Sequence, residues 1–266
     1  VVRAGYCQFE VAYADPGRNE AHFINTLAAA GELDLLVFPE LALSGYDLRD
    51  AAHVRTLAEP FGDGRTSRLL QMLARDYGTT LVAGYAERDG DACYNACQLA
   101  TPGGDLHNYR KVHLFNREKE LFAPGHAPPP VIETPAGRIG LMICFDWFFP
   151  ECARSLALRG AQIIAHPSNL VLPWCQRAMF ARSVENRVFT ITCNRIGTET
   201  QAGRELTFTG GSQVLSPKGE TLAQAPNDAP HIGIAEIDPT HADDKAVPYY
   251  NDLFADRRPE LYPGLH

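Results

Sequence analysis

Four short apolar runs, each closed by a polar or turn residue, constrain this fold more than any other feature of the chain. They are LDLLVF (33–38), GRIGLMIC (137–144), AQIIAHP (161–167) and VFTITCN (188–194). Runs of this length read as strands buried on both faces. Segments with helical spacing lie between them. Residues 17–31 end at Gly31, and 66–77 end at Gly78, each glycine serving as a C-cap. Residues 150–160 have Pro in the first turn and Gly past the end, and 173–187 form a further helix. Such alternation predicts an α/β fold with helices covering the sheets. A strand at 2–9 opens the chain. Helix-free strand runs at 79–87, 92–100 and 106–112, and again at GSQVLSP, GETLAQA and 231–237, predict mixed rather than purely parallel sheets. The loops PFGDGRTS, ATPGG, PGHAPPP and QAPNDAP are short, so residues 1–266 are expected to form one domain.

Charge and cysteine usage narrow the function classes. The 24 basic against 32 acidic side chains leave a net charge of −8. Nucleic-acid binding, which needs clustered Lys and Arg, is not expected. No apolar run is long enough to span a bilayer, and the first residues lack the apolar core of a signal peptide, so no membrane partner is expected. The odd number of cysteines, 7, mostly inside apolar runs, suits a reducing compartment and makes the cytoplasm the expected location. With no His-x₃-His and no Cys-x₂-Cys, no metal is expected; Cys93 and Cys97 read as core thiols. No Gly-x-Gly-x-x-Gly follows a strand, so no dinucleotide cofactor is expected. The Gly-Gly-Ser of TGGSQV (209–214) lacks the longer Gly/Ser-rich stretch of a serine amidase.

Reactive side chains fall at three strand ends. LDLLVF runs into Pro39-Glu40, LHNYR into Lys111, and GRIGLMI into Cys144. In α/β sheets, ligands sit beyond the carboxyl ends of strands. A carboxylate, an ammonium and a thiol converging there would form a nucleophile, a base and an oxyanion stabiliser for acyl transfer. The carboxylate would take the thiol proton during attack, the lysine would favour the thiolate and the oxyanion, and the first N–H after Cys144 would be a second oxyanion donor. Taken singly, each residue also fits a bland role: a packed thiol, a loop carboxylate, a solvated strand-end charge. Spacing along the chain does not decide between these readings.

FPELALSGYD (38–47), YRKVHLF (109–115) and GLMICFDWFFPE (140–151) closely resemble, in order, the three motifs of the nitrilase superfamily of carbon–nitrogen hydrolases. RSVENRVF (182–189), CNRIGTE (193–199) and NDLFADRRPELY (251–262) also resemble family segments. The resemblance implies a four-layer α-β-β-α sandwich with two mixed β-sheets. It implies Glu40 as general base, Lys111 as oxyanion stabiliser and Cys144 as nucleophile. Glu118, in EKELFAPG, matches a further family glutamate that positions substrate and helps hold the lysine and the base; Glu120 is the alternative. Tyr46, Phe145 and Trp147, with Trp174 and Phe148, lie near the motifs as candidate pocket residues or as core. Family members pair through the helices after the cysteine strand. A homodimer or larger assembly is therefore expected, using 150–160, 173–187 and the C-terminal tail.

The resemblance leaves three substrate classes open. Family nitrilases usually read Cys-Trp-Glu where this chain has Cys144-Phe145-Asp146. Carbamoylputrescine amidases carry a Gln before Trp-Phe-Pro-Glu that is missing here. The expected reaction is hydrolysis of a small linear amide to acid and ammonia through a cysteine thioester. Carbamoyl-amine hydrolysis comes second and nitrile hydrolysis third; an inactive binding protein of the same fold is the non-enzymatic alternative. A glutamine-dependent synthetase and a membrane-embedded acyltransferase are not expected.

Overall fold

The computed structural model describes residues 1–201 and 203–262. The first half builds one sheet. Strand β1 (Val2–Gln8) leads into helix α1 (Pro16–Ala30), whose start is fixed by Pro16 and by the Asp15 carboxylate accepting from the Arg18 N–H at 3.0 Å. Strand β2 (Leu35–Val37) follows, then a short helix α2 (Ala51–Leu57) and helix α3 (Arg65–Tyr77). Helix α3 stops at Gly78, whose left-handed φ of 65° suits a residue without Cβ. Strands β3 (Thr80–Asp89), β4 (Ala92–Ala100) and β5 (Leu106–Arg110) form an antiparallel meander, and a single turn α4 (Glu118–Leu121) closes this half.

The second half repeats the scheme. Strands β6 (Val131–Thr134) and β7 (Gly137–Leu141) form a hairpin, a 3₁₀ turn spans Cys144–Phe148, and helix α5 (Pro150–Leu158) leads to β8 (Ile163–Pro167). Helix α6 (Cys175–Asn186) precedes β9 (Phe189–Cys193). The hairpin β10 (Thr198–Gln201) and β11 (Arg204–Thr207) stands apart as its own two-stranded sheet. Strands β12 (Gln213–Leu215), β13 (Thr221–Gln224) and β14 (His231–Ile237) complete the fold.

Two six-stranded sheets result, ordered β14-β1-β2-β3-β4-β5 and β13-β12-β9-β8-β7-β6. Each is mixed: β1-β2-β3 and β7-β8-β9 run parallel, and their outer strands antiparallel. Strand β14 leaves the second half and pairs with β1, tying the two sheets together. Alternate residues divide the layers, as the period of two requires. In the first sheet Ala4, Tyr6, Leu35, Val37 and Val82 face the second sheet, while Cys7, Leu36, Leu81 and Ala83 pack beneath Phe23, Leu27 and Leu70 of α1 and α3. On the far side, Ala153 and Leu156 of α5 and Met179 of α6 cover the second sheet. The arrangement is the four-layer α-β-β-α sandwich.

Two strands end short of the sequence reading at the candidate positions. The strand expected to reach Cys144 ends at Leu141, and the one expected to reach 112 ends at Arg110. In both places the chain leaves the ladder to bring a reactive side chain out of the sheet. In the tail from 251, part of the expected partner contact, Phe254 packs on its own chain while residues 255–262 are exposed. Phe254 lies against the Arg154 guanidinium of α5 and the Lys245 ammonium; residues 263–266 lie outside the described residues.

Candidate active site

The site is assembled where the two sheets face one another beyond their strand ends. After β2, Phe38 still donates to Val82 O, and the chain then turns sharply at Glu40-Leu41, with Leu41 at φ 47°. This turn runs flat over β3 only because residue 84 is glycine: a Cβ there would sit 2.4 Å from the Glu40 Cα. The Gly84 N–H donates to Pro39 O at 3.0 Å, and its carbonyl accepts from Ala42 at 2.9 Å. Gly125 does the same for the lysine segment, donating to Lys111 O at 2.8 Å where a Cβ would strike Arg110 O. Cys144 opens the 3₁₀ turn with φ 39°, a strained value for a residue with a Cβ. Such strain concentrates at functional sites. Three of the five non-glycine residues with positive φ among the described residues, Leu41, Asn116 and Cys144, lie at or beside the candidate positions.

The predicted residues meet. Lys111 Nζ is 2.7 Å from Glu40 Oε1 and 2.8–2.9 Å from both oxygens of Glu118. Glu40 and Lys111 are fully buried and Glu118 nearly so. Asn95 Nδ2 donates to the same Glu40 Oε1 at 2.7 Å, while Glu40 Oε2 has no hydrogen-bond partner among the described residues. The Tyr46 hydroxyl donates to Glu118 Oε1 at 2.6 Å. The charges of Glu40, Lys111 and Glu118 all act on the Cys144 thiol. Of the two candidate glutamates, Glu118 joins this cluster, whereas Glu120 is exposed and, among the described residues, pairs with Arg117 at 3.4 Å.

Burial governs the protonation states. It pushes the Cys144 thiol well above its ordinary range, and the Glu40 carboxylate adds to this; Lys111 opposes both without prevailing. Lys111 thus favours the thiolate, as a nearby ammonium must, but burial outweighs it. Burial also raises Glu40, against the pull of Lys111. Burial alone would lower Lys111; Glu118 and Glu40 more than reverse it, so the ammonium stays charged. Tyr46 is raised far above a free phenol by burial and the two carboxylates and remains a donor.

Cys144 opens on a cavity of about 20 Å³ lined by Phe115, Phe145, Trp147, Asn169 and Leu170–Leu172. A second cavity of about 60 Å³, sharing Phe115 and Val171, is lined by Tyr46, Glu118, Asp47, Arg117 and Arg204. Phe145, Trp147 and Tyr46 thus line the site, whereas Trp174 and Phe148 are exposed to solvent. Asp146, from the Cys-Phe-Asp run, lines neither cavity. It accepts from Tyr109 Oη at 2.9 Å, from the His113 ring at 2.8 Å and from the Ile143 N–H at 2.9 Å. It thereby clamps the lysine segment of one sheet to the cysteine turn of the other.

Sequence reasoning missed Asn95 and Asn169. Asn169 follows strand β8 as Glu40 follows β2, so the same strand-end rule would have found it. Asn95 sits inside β4, and an uncharged polar residue there carries no signal of its own. The sequence also hid the role of Glu199. It caps the Tyr46 and Asp47 N–H groups at 3.1 and 2.7 Å and pairs with buried Arg195, fixing the loop that presents Tyr46.

A carbon–nitrogen hydrolase family model matches residues 3–245. This chain belongs to the carbon–nitrogen hydrolase family. It is similar to a nitrilase of Pyrococcus abyssi, 42% identical over 98% of this chain and 99% of that protein. An (R)-stereoselective amidase of a Pseudomonas species is 34% identical, over 90% and 86% respectively. Among solved structures, an amidase from a Nesterenkonia species superposes with a TM-score of 0.80 at 28% identity, covering 98% of this chain and 94% of that one. The chain is thus an enzyme of the amidase type, a nitrilase-superfamily hydrolase of non-peptide carbon–nitrogen bonds.

Proposed function

We propose that this hydrolase converts small linear amides to a carboxylic acid and ammonia through a thioester on Cys144, and that residues 1–266 act as one hydrolase domain. The observation that carries the reading is a thiol opening on a small apolar cavity, beside a buried carboxylate with one free oxygen and a lysine locked in its charged state. Glu40 takes the thiol proton as Sγ attacks the carbonyl carbon. The displaced π electrons settle on the oxygen, facing the Lys111 ammonium and the Phe145 N–H. The carbonyl re-forms as the C–N bond breaks, and Glu40 returns the proton to the departing nitrogen. Water then enters, gives a proton to Glu40 and attacks the thioester; Cys144 leaves with the electron pair and regains the proton. Glu118, held by Tyr46, keeps Lys111 oriented.

The apolar lining by Trp147, Leu170 and Val171 favours a short acyl group. The second cavity, with Arg117, Arg204 and Asp47 at its wall, favours the second reading, a longer substrate with a polar end such as a carbamoyl amine. The Pyrococcus relative makes the nitrile the sharpest comparator. A nitrile forms a thioimidate first and needs an added proton at nitrogen, for which this site has one carboxyl donor. The test is kcat/KM for matched amide, carbamoyl and nitrile compounds, read as ammonia release. The amide should be fastest; faster conversion of the nitrile to acid overturns the choice.

Two accompanying readings are also proposed. Copies pair through 150–160 and 173–187, where Leu158, Trp174 and Phe180 are exposed, together with the C-terminal tail, and a monomer in sedimentation at micromolar concentration would refute this. Six of the seven free cysteines are buried, which supports a reducing, cytoplasmic location, to be checked by cell fractionation.

A further inference from the structure

His166 is a buried titratable side chain that the reaction above does not use. It sits on β8 behind the nucleophile, fully enclosed, and lines neither cavity. Its Nε2 is 2.9 Å from the carbonyl oxygen of Cys144, and its Nδ1 is 3.2 Å from the Thr192 hydroxyl on β9. A carbonyl oxygen only accepts, so Nε2 carries the proton, and the Thr192 hydroxyl donates to Nδ1. Ser168 Oγ, 3.1 Å from Nε2, also lies within reach of the His166 carbonyl at 3.3 Å and can donate there. Burial holds the ring neutral, with a pKa pulled down to about 4. The ring thus acts as a fixed neutral donor, and its tautomer is set from the neighbouring strand.

What this donor fixes follows from the planarity of the peptide. The carbonyl of Cys144 and the N–H of Phe145 belong to one peptide unit, and no cis bond occurs among the described residues. In a trans unit the two groups point in opposite directions. Holding the carbonyl against His166, away from the cavity, turns the Phe145 N–H toward the cavity that Cys144 lines. Cys144 itself carries a positive φ of 39° at this turn, a conformation costly for a residue with a Cβ.

We propose that His166 is a positioning residue that aims the Cys144–Phe145 peptide, so that the Phe145 N–H meets the oxyanion formed on the substrate. The proposal rests on the acyl-transfer reading above and adds to it the group that holds one oxyanion donor in place.

The test separates oxyanion stabilisation from thiol placement. His166→Leu removes the donor, and His166→Gln keeps an N–H at nearly the same reach. Each variant is assayed for amide turnover and for alkylation of Cys144 by iodoacetamide. In alkylation the S–C bond forms as C–I breaks, iodide leaves with the electron pair, and Glu40 takes the thiol proton; no oxyanion develops. Direct removal of an oxyanion donor costs about 10²–10³ in kcat, so loss of its alignment should cost about 10–100-fold. For His166→Leu, kcat should fall by that factor with KM within about threefold, and the alkylation rate should stay within about threefold of wild type. His166→Gln should recover most of the loss. The proposal is overturned if kcat of the leucine variant stays within twofold, if alkylation falls in parallel, or if glutamine does no better than leucine. If His166→Leu does not fold, Thr192→Val decides: a severalfold lower kcat with normal alkylation supports the proposal, and an unchanged kcat overturns it. Failure of the wild type to hydrolyse any amide would instead count against the acyl-transfer reading.

Discussion

Two buried charge clusters lie among the described residues, and they differ in how fully their acceptors are matched. Arg195 and Glu199 are saturated. Glu199 accepts from Tyr46 N, Asp47 N and Arg195, and the guanidinium also reaches Val11 O and Ile196 O and stacks on Phe208. Glu40 and Lys111 are as deeply buried, yet Glu40 keeps one oxygen free, and the cluster carries two carboxylates against one ammonium. Every lone pair left unmatched in the interior costs free energy. The saturated pair holds a loop, whereas the unsaturated one has capacity left for a proton. Buried charge alone does not distinguish the two clusters; the unfilled acceptor in the one that acts on the Cys144 thiol does.

Cys144→Ala should have the largest effect, since no residue of either cluster can replace a covalent nucleophile: kcat should fall by about 10⁴ or more with the melting temperature nearly unchanged. A tenth of wild-type activity in that variant would exclude the thioester. The paired variants Glu40→Gln and Glu199→Gln test the comparison itself. The first should lower kcat by about 10²–10⁴ and leave stability within about 1 kcal/mol. The second strands the Arg195 charge and should cost about 3–5 kcal/mol in denaturant unfolding. The reverse pattern would break the distinction drawn between the clusters.

Titration sharpens it. Glu40 must be ionised to accept a proton, and burial raises its pKa. Turnover should therefore fall on acidification along a limb above the ordinary glutamate range of about 4.3. A limb below that range, measured as kcat/KM against pH, argues for another base. His166 supplies a contrasting signal in stability. Its folded pKa of about 4 lies below the unfolded value near 6.5, so between them the unfolded chain binds more protons. Its contribution is present above about pH 6.5 and is lost on acidification toward pH 4, amounting to roughly 3 kcal/mol. His166→Gln should flatten that slope in urea titrations. The smallest effect belongs to Glu120→Gln: an exposed carboxylate paired with Arg117 should change kcat/KM by less than about twofold.

Much of the architecture was legible because strands buried on both faces write themselves as apolar runs, and helices end at Gly31 and Gly78 for reasons local to those residues. The elements that escaped notice were short or half-exposed. Helix α2 has seven residues, and the β10–β11 hairpin alternates without a strong apolar face. Their formation depends on what they pack against: Val54 of α2 and Leu206 of β11 join one apolar cluster with Leu41 and Tyr46.

The site divides along the same line. Glu40, Lys111, Cys144 and Glu118 could be named in advance, since strand ends and motif resemblance are properties of contiguous residues. Their arrangement could not. Residues 40 and 111 follow strands of one sheet and residue 144 follows a strand of the other, and Asp146 joins the two sides only once the sheets have stacked. The protonation state of the thiol was likewise beyond the sequence. A lysine nearby suggests a thiolate, yet burial and a second carboxylate outweigh it, and desolvation exists only in the folded interior. Local sequence determined which chemical groups stand at the strand ends; tertiary packing decided their distances, their charges and which oxygen remained free, because those depend on atoms that only folding brings together.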